Sequence, residues 1–174
     1  MKKTDIEIMP EYFDRYINLC DNLDVLEALS NYGPNLILPI LEALNQINQK
    51  TYLPKKWTIH DILQHVIDTE RIFAYRALRF ARNDQTPLAG FDENAYSLKT
   101  LASKREIKDL LLEFEYVRQS NISLFKSFTN TQFLATGISN GKSCSVLALG
   151  FIIAGHWLHH LQVINERYLP LAAE

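Results

Sequence analysis

Three of the five histidines in this chain fall within five residues, in the run Gly155-His156-Trp157-Leu158-His159-His160. On a helix, at about 100° per residue, His156 and His160 stand about 40° apart and one turn from each other. Leu149, Ile152, Ile153, Val163 and Ile164 share that face, so the pair interrupts a core-facing apolar stripe. His159 falls beside Gln162 and Glu166, on the stretch expected to be most solvated. Two imidazoles side by side in an apolar setting each need a hydrogen-bond partner, and charging both is costly. A metal ion resolves this, taking one nitrogen of each ring and leaving the other for an acceptor. H-x-x-x-H on one helical face is a zinc-binding spacing. The plainer alternative is a pair of hydrogen-bonded core histidines.

A third candidate ligand lies upstream. In Gln64-His65-Val66-Ile67-Asp68-Thr69-Glu70, His65 sits at the edge of a face built from Ile62, Val66, Thr69, Ile72 and Phe73. Three histidines converging from facing helices leave positions open for water or substrate, as catalytic metal sites do. Asp68, one turn from His65, is placed to orient that ring, or else to form an ordinary salt bridge with an arginine. His60 reads as a surface residue near Gln64 and Arg71. Trp157 stands where a zinc protease would carry its glutamate after the first histidine, so H-E-x-x-H chemistry is not supported. Neither a glycine-rich phosphate loop nor a G-x-S-x-G elbow is present, and Ser143 and Ser145 beside Cys144 read as a helix cap.

Four segments with helical periodicity position these residues: roughly 24–49, 58–82, 103–128 and 145–168. Gly33-Pro34 should break or kink the first. Thr58 with Asp61, and Ser103 with Glu106, have the spacing of capping boxes. Alternating patterns are scarce, although Asn140-Gly141 could close a small hairpin. The expectation is an all-α four-helix bundle, with a long crossover connection (about residues 83–102) between its second and third helices.

A chain of 174 residues is most simply one domain, spanning 1–174, with 47% hydrophobic and 22% charged residues and a net charge of −2. That charge carries no footprint for nucleic acid or an anionic membrane. The apolar run 146–161 is broken by histidines and glycines and reads as too short to span a bilayer. No secretory signal is visible, and Cys20 and Cys144, far apart in sequence, read as buried free thiols. A cytoplasmic protein is expected.

The stretches Trp57-Thr-Ile-His-Asp-Ile-Leu-Gln-His65 with Asp68-Thr-Glu70, Pro87-Leu-Ala-Gly-Phe-Asp92, and Gly155-His-Trp-Leu-His-His-Leu161 with Arg167-Tyr-Leu169 resemble the DinB-like (DinB/YfiT) superfamily. The resemblance runs from Trp57 to Leu169 and implies a four-helix bundle, commonly homodimeric. It also implies a divalent metal, zinc or nickel, held by His65, His156 and His160. The activities it implies are hydrolysis or thiol S-transfer on a small molecule, the latter with a low-molecular-weight thiol as co-substrate. For hydrolysis, Asp68, Glu70 and Asp92 are the carboxylates nominated to accept a proton; for thiol transfer, Phe91 or Tyr96 would shape the pocket. The alternative is a non-catalytic metal-binding or scaffold bundle.

Two further expectations concern packing. Leu147, Phe151, Ala154, Trp157, Leu158, Leu161 and Tyr168 form a second apolar surface on the last helix, to be covered by the N-terminal segment or by a second subunit in a homodimer. Glu70 and Arg167 both fall on core-facing sides, so each should have a partner inside the bundle.

Overall fold

The computed structural model describes residues 1–173. A short helix, α1 (Asp14–Ile17), precedes the first bundle position. That position holds α2 (Val25–Asn31), a 3₁₀ stretch (Pro34–Ile40) and α3 (Leu41–Ile47). Gly33-Pro34 breaks the helix as expected, because proline lacks the N–H that would continue the ladder. The second bundle helix, α4 (Ile59–Ala81), opens with the Thr58–Asp61 capping box, each side chain accepting from the other residue's backbone N–H. The crossover contains α5 (Glu93–Ser97), and the third bundle helix is α6 (Ile107–Lys126). Here the expected Ser103 cap fails. Ser103 lies inside a 3₁₀ turn, and Glu106 is itself the residue before the helix, its carboxylate drawn to Lys108 Nζ at 2.8 Å.

After α7 (Asn130–Leu134), strands β1 (Thr136–Ser139) and β2 (Lys142–Ser145) pair antiparallel, with Gly137 opposite Cys144. Asn140 and Gly141 close the hairpin at φ values of 50° and 73°, the left-handed geometry that a two-residue turn demands. The crossover adds to this edge, with Leu88 donating to Ile138 O and accepting from Asn140 N, both at 2.9 Å.

The last bundle helix, α8 (Val146–Val163), starts at Ser145, whose hydroxyl accepts from Ala148 N at 3.1 Å. It is buried without interruption from Val146 to Trp157 and packs on α1, α2 and α4. A π-helical turn (Ile164–Tyr168) and a 3₁₀ turn (Leu169–Ala173) extend it. By length and composition Val146–Ala173 is long and apolar enough to cross a membrane, with mean hydropathy 1.4 in its most apolar window, which corrects the expectation of too short a run. The bundle accounts for that apolarity, since 67% of the window is buried inside the protein.

Most of the second apolar surface of α8 is covered from within the chain, with Leu158 and Leu161 left half-buried. Cys20 Sγ donates to Phe151 O at 3.6 Å, Trp157 Nε1 donates to Gly33 O at 2.8 Å, and Phe114 meets the Trp157 ring edge-on at 5.1 Å. Both cysteines are free and buried, as expected, and burial pushes each thiol up to about 12. Glu70 is buried at 1% exposure and paired, but its partner is Arg118 of α6. Arg167 corrects the other half of that expectation: the π-helical turn carries it to the surface, where it is exposed.

At Gly155 the backbone of α1 lies directly against α8, and a Cβ added there would stand 1.9 Å from the backbone oxygen of Tyr16. In an open helix Gly→Ala gains about 1 kcal/mol. Against a backbone neighbour that cannot yield, the change costs about 1–3 kcal/mol. Gly155→Ala is therefore predicted to lower the melting temperature. A higher one would mean that the N-terminal segment does not rest on α8.

Candidate metal centre

α4 and α8 face each other and bring three imidazoles together. His65 Nε2 lies 3.2 Å from His156 Nε2, which lies 3.1 Å from His160 Nε2, and candidate ligand nitrogens of all three fall within 4.8 Å of one another. His156 is buried; His65 and His160 are half-buried. Aromatic edges fix the rings. Trp57 stands 4.8 Å from His65, and Tyr16 stands 5.2 Å from His156, centroid to centroid.

Hydrogen bonding alone satisfies this cluster poorly. An imidazole nitrogen is either a donor or an acceptor with one lone pair, so His156 Nε2 cannot serve both neighbours well. Its Nδ1 is sealed from solvent with no partner among the described residues. Three nitrogens at about 2.0–2.1 Å from one tetrahedral ion would stand about 3.3 Å apart, close to the spacing found. Ligation through Nε2 places the proton on Nδ1, and in His65 that nitrogen faces Thr69 Oγ1 at 3.5 Å. The donor set fits a divalent metal.

The electrostatics agree. Burial, reinforced by repulsion from the neighbouring rings, holds His156 and His160 well below the ordinary imidazole value, and burial pushes His65 down to about 4. All three are neutral near pH 7, the state in which an imidazole can ligate.

A cavity of about 480 Å³ opens beside the cluster. α4 and α8 form its floor, the N-terminal segment one wall, and the crossover and hairpin the others. His159 lines it, half-buried with its ring 5.3 Å from Tyr16, which corrects its expected place on the solvated side. His60 is also corrected: it is 4% exposed, and its Nδ1 meets Gln49 Nε2 at 3.3 Å, because α3 and the crossover cover that end of α4.

None of the nominated carboxylates lines this cavity. Asp68 accepts from Gln64 Nε2 at 2.9 Å and lies 3.9 Å from Arg71, so it belongs to a half-buried charge network behind His65. Glu70 turns to the opposite side of α4, toward Arg118 and Asn121. Asp92 caps α5, accepting from Asn94 N and Ala95 N. The carboxylate on the lining is Glu93, one residue further, in the first turn of α5. Phe91 lines the cavity; Tyr96 stacks behind it at 5.2 Å and borders a smaller cleft. Tyr12, Tyr16, Arg76, Asn140 and Lys142 add polar groups to the lining, and none of them was expected at the site from the sequence. Arg76 had a readable signal, since eleven residues after His65 bring it back to within about 20° of the same face.

The chain is thus a helix-bundle protein with a neutral tri-histidine cluster at the floor of a cavity. A family model for the DinB superfamily matches residues 31–164, and the chain belongs to that superfamily. Among solved structures it resembles YfiT from Bacillus subtilis, described as a probable metal-dependent hydrolase with an unusual four-helix bundle topology, with a TM-score of 0.70 and 18% identity over 95% of this chain and 90% of that one. At that identity the likeness is one of fold. No curated protein matches.

The neutral cluster has a consequence for the metal-free protein. The unfolded chain binds protons on these rings near pH 6.5, whereas the folded chain resists them until well below it. Stability is therefore complete above about pH 6.5 and falls as the pH drops toward 4. Urea unfolding of chelator-treated protein should show a loss between pH 7.5 and 5 of at least about 2 kcal/mol, the share of His65 alone, with His156 and His160 adding in the same direction. His156→Leu should flatten that slope. Equal slopes in the two proteins would contradict the buried neutral cluster.

Proposed function

We propose that this chain is a metal-dependent hydrolase of small molecules, with His65, His156 and His160 holding one divalent ion, zinc or nickel. The observation that carries the reading is the convergence of three neutral imidazole nitrogens, 3.1 and 3.2 Å apart in sequence of contact, at the floor of a cavity. The description of YfiT as a probable metal-dependent hydrolase supports it. A divalent ion held there supplies a Lewis acid, able to polarise a carbonyl and to acidify water or a thiol.

The protein's own groups supply the rest. Glu93 is a carboxylate at the cavity wall, placed to take a proton from an attacking nucleophile. Burial pushes the Tyr16 phenol up to about 12, so its hydroxyl stays protonated and is a hydrogen-bond donor to developing negative charge. Phe13, Trp57, Phe73 and Phe91 give the lining apolar surface for the rest of a small molecule.

Protein purified without a histidine tag should contain about one divalent metal per chain by mass spectrometry, and His65→Ala and His156→Ala should contain almost none. Metal-free protein that also refuses added zinc and nickel would end this reading.

Metal-loaded protein should hydrolyse simple activated esters or amides. Glu93→Gln should slow that turnover by about 10²-fold while leaving metal content unchanged. Turnover appearing only when a low-molecular-weight thiol is added would replace hydrolysis by thiol transfer at the same centre. A Glu93→Gln variant with full activity would remove the assigned base.

A further inference from the structure

Arg76 is a buried charge without a counter-charge. It is 4% exposed, yet its single protein acceptor among the described residues is Ala89 O, at 3.1 Å from Nη2. None of the described carboxylates comes within 4.0 Å of it. Its guanidinium carbon stands 5.3 Å from the centre of the Phe73 ring. Neighbouring Cys144 does not neutralise it, because burial keeps that thiol protonated. A guanidinium offers five donors, and interiors seldom leave such groups unpaired. The other buried arginine, Arg118, meets Glu70 and two backbone carbonyls. Arg76 instead lines the cavity.

Its position along α4 gives that cavity two ends. His65, Thr69, Phe73 and Arg76 follow one stripe of the helix. The Arg76 guanidinium lies over the Phe73 ring, whose far side stands toward His156 at 6.4 Å between centroids, so the phenyl ring separates the cation from the histidines. The crossover fixes the far end, since the Leu88 pairing with the hairpin holds the adjoining Ala89 carbonyl against Arg76. Lys142 lies on the same lining, with its nearest acid the exposed Glu11 at 3.5 Å. Lys142 thus has a carboxylate beside it, and Arg76 is the lining cation with none within 4.0 Å, a place suited to one anionic group.

We infer that the substrate is an elongated small molecule bearing a carboxylate, bound by Arg76 at the end of the cavity away from the histidine cluster, with its reacting group directed toward His65, His156 and His160. This deepens the hydrolase reading, but the carboxylate subsite itself does not require the metal.

The test is calorimetric titration of the full chain with 4-phenylbutyrate and with its uncharged amide. Wild-type protein should prefer the carboxylate, and Arg76→Met should lose that preference by about 10-fold or more. Arg76→Lys should retain part of it. His65→Ala, stripped of metal, should keep the preference, which separates this subsite from the metal centre. Three results would each overturn the inference: absence of carboxylate binding by wild-type protein at millimolar concentration, an undiminished preference in Arg76→Met, or a preference lost in His65→Ala. The last would assign the carboxylate to the metal. An Arg76→Met variant that melts lower yet discriminates as wild type would reduce Arg76 to a pin for the crossover. The metal content of the wild type decides the hydrolase reading separately.

Discussion

The buried pair of Glu70 and Arg118 governs how this bundle is put together. Both residues are 1% exposed; Asn121 Nδ2 donates to the same carboxylate at 3.0 Å, and Arg118 also donates to Leu29 O at 2.9 Å and to Tyr32 O. One network thus ties α4, α6 and the end of α2 just before the Gly33-Pro34 break. A pair of this kind adds little to stability against a well-packed apolar replacement, but removing one member costs about 3–5 kcal/mol. Its value here is rotational. Glu70 lies about 140° around α4 from His65, so seating Glu70 against α6 turns the His65 stripe toward α8.

α4 therefore separates two electrostatic regimes on opposite faces. On the Glu70 face every charge is answered by another charge or a carbonyl. On the site face the imidazoles are forced neutral, His156 Nδ1 has no partner among the described residues, and Arg76 has a single carbonyl for its charge. A folded interior rarely leaves such groups unsatisfied, and where it does the deficit marks the place a ligand supplies the missing interaction. The two deficits differ in kind. Neutral nitrogen lone pairs call for a cation, and an unpaired guanidinium calls for an anion, so one cavity asks for both at separate points along a single helix.

What the sequence made legible follows from periodicity. Long helices announce themselves through spacing, so the bundle, the break at Gly33-Pro34, the Asn140-Gly141 turn and the inward His156–His160 pair could all be read before any coordinates. Errors arose where the period ended or a neighbour intruded. His60 read as surface because nothing local reveals that α3 and the crossover cover it. Arg167 read as buried because a regular helix was extended through a π-helical turn that rotates everything after Val163. His159 read as solvated because α1, four residues long and without a periodic signal, supplies the Tyr16 ring beside it. Glu93 was passed over for Asp92 because the one-residue difference depends on where a five-residue helix begins, and Asp92 is consumed as its cap.

The same division runs through the site. Its floor, carrying the three histidines and Arg76, belongs to two long helices whose mutual rotation is fixed by core packing and by the Glu70–Arg118 network. Its walls belong to the residues around α1, the crossover from Pro87 to Glu93 and the hairpin turn, held by a few backbone hydrogen bonds such as Leu88 N to Ile138 O and Asn140 N to Leu88 O. Elements of the second kind change length and residue type at little cost to the core, whereas a change in the floor disturbs the bundle itself. A fold built this way can keep its floor while exchanging ligands through its walls. Arg76 is unusual on that account, because it is a specificity group mounted on the floor. An anionic group at that position would then be set by the helix itself, and the walls would choose only what lies between it and the metal.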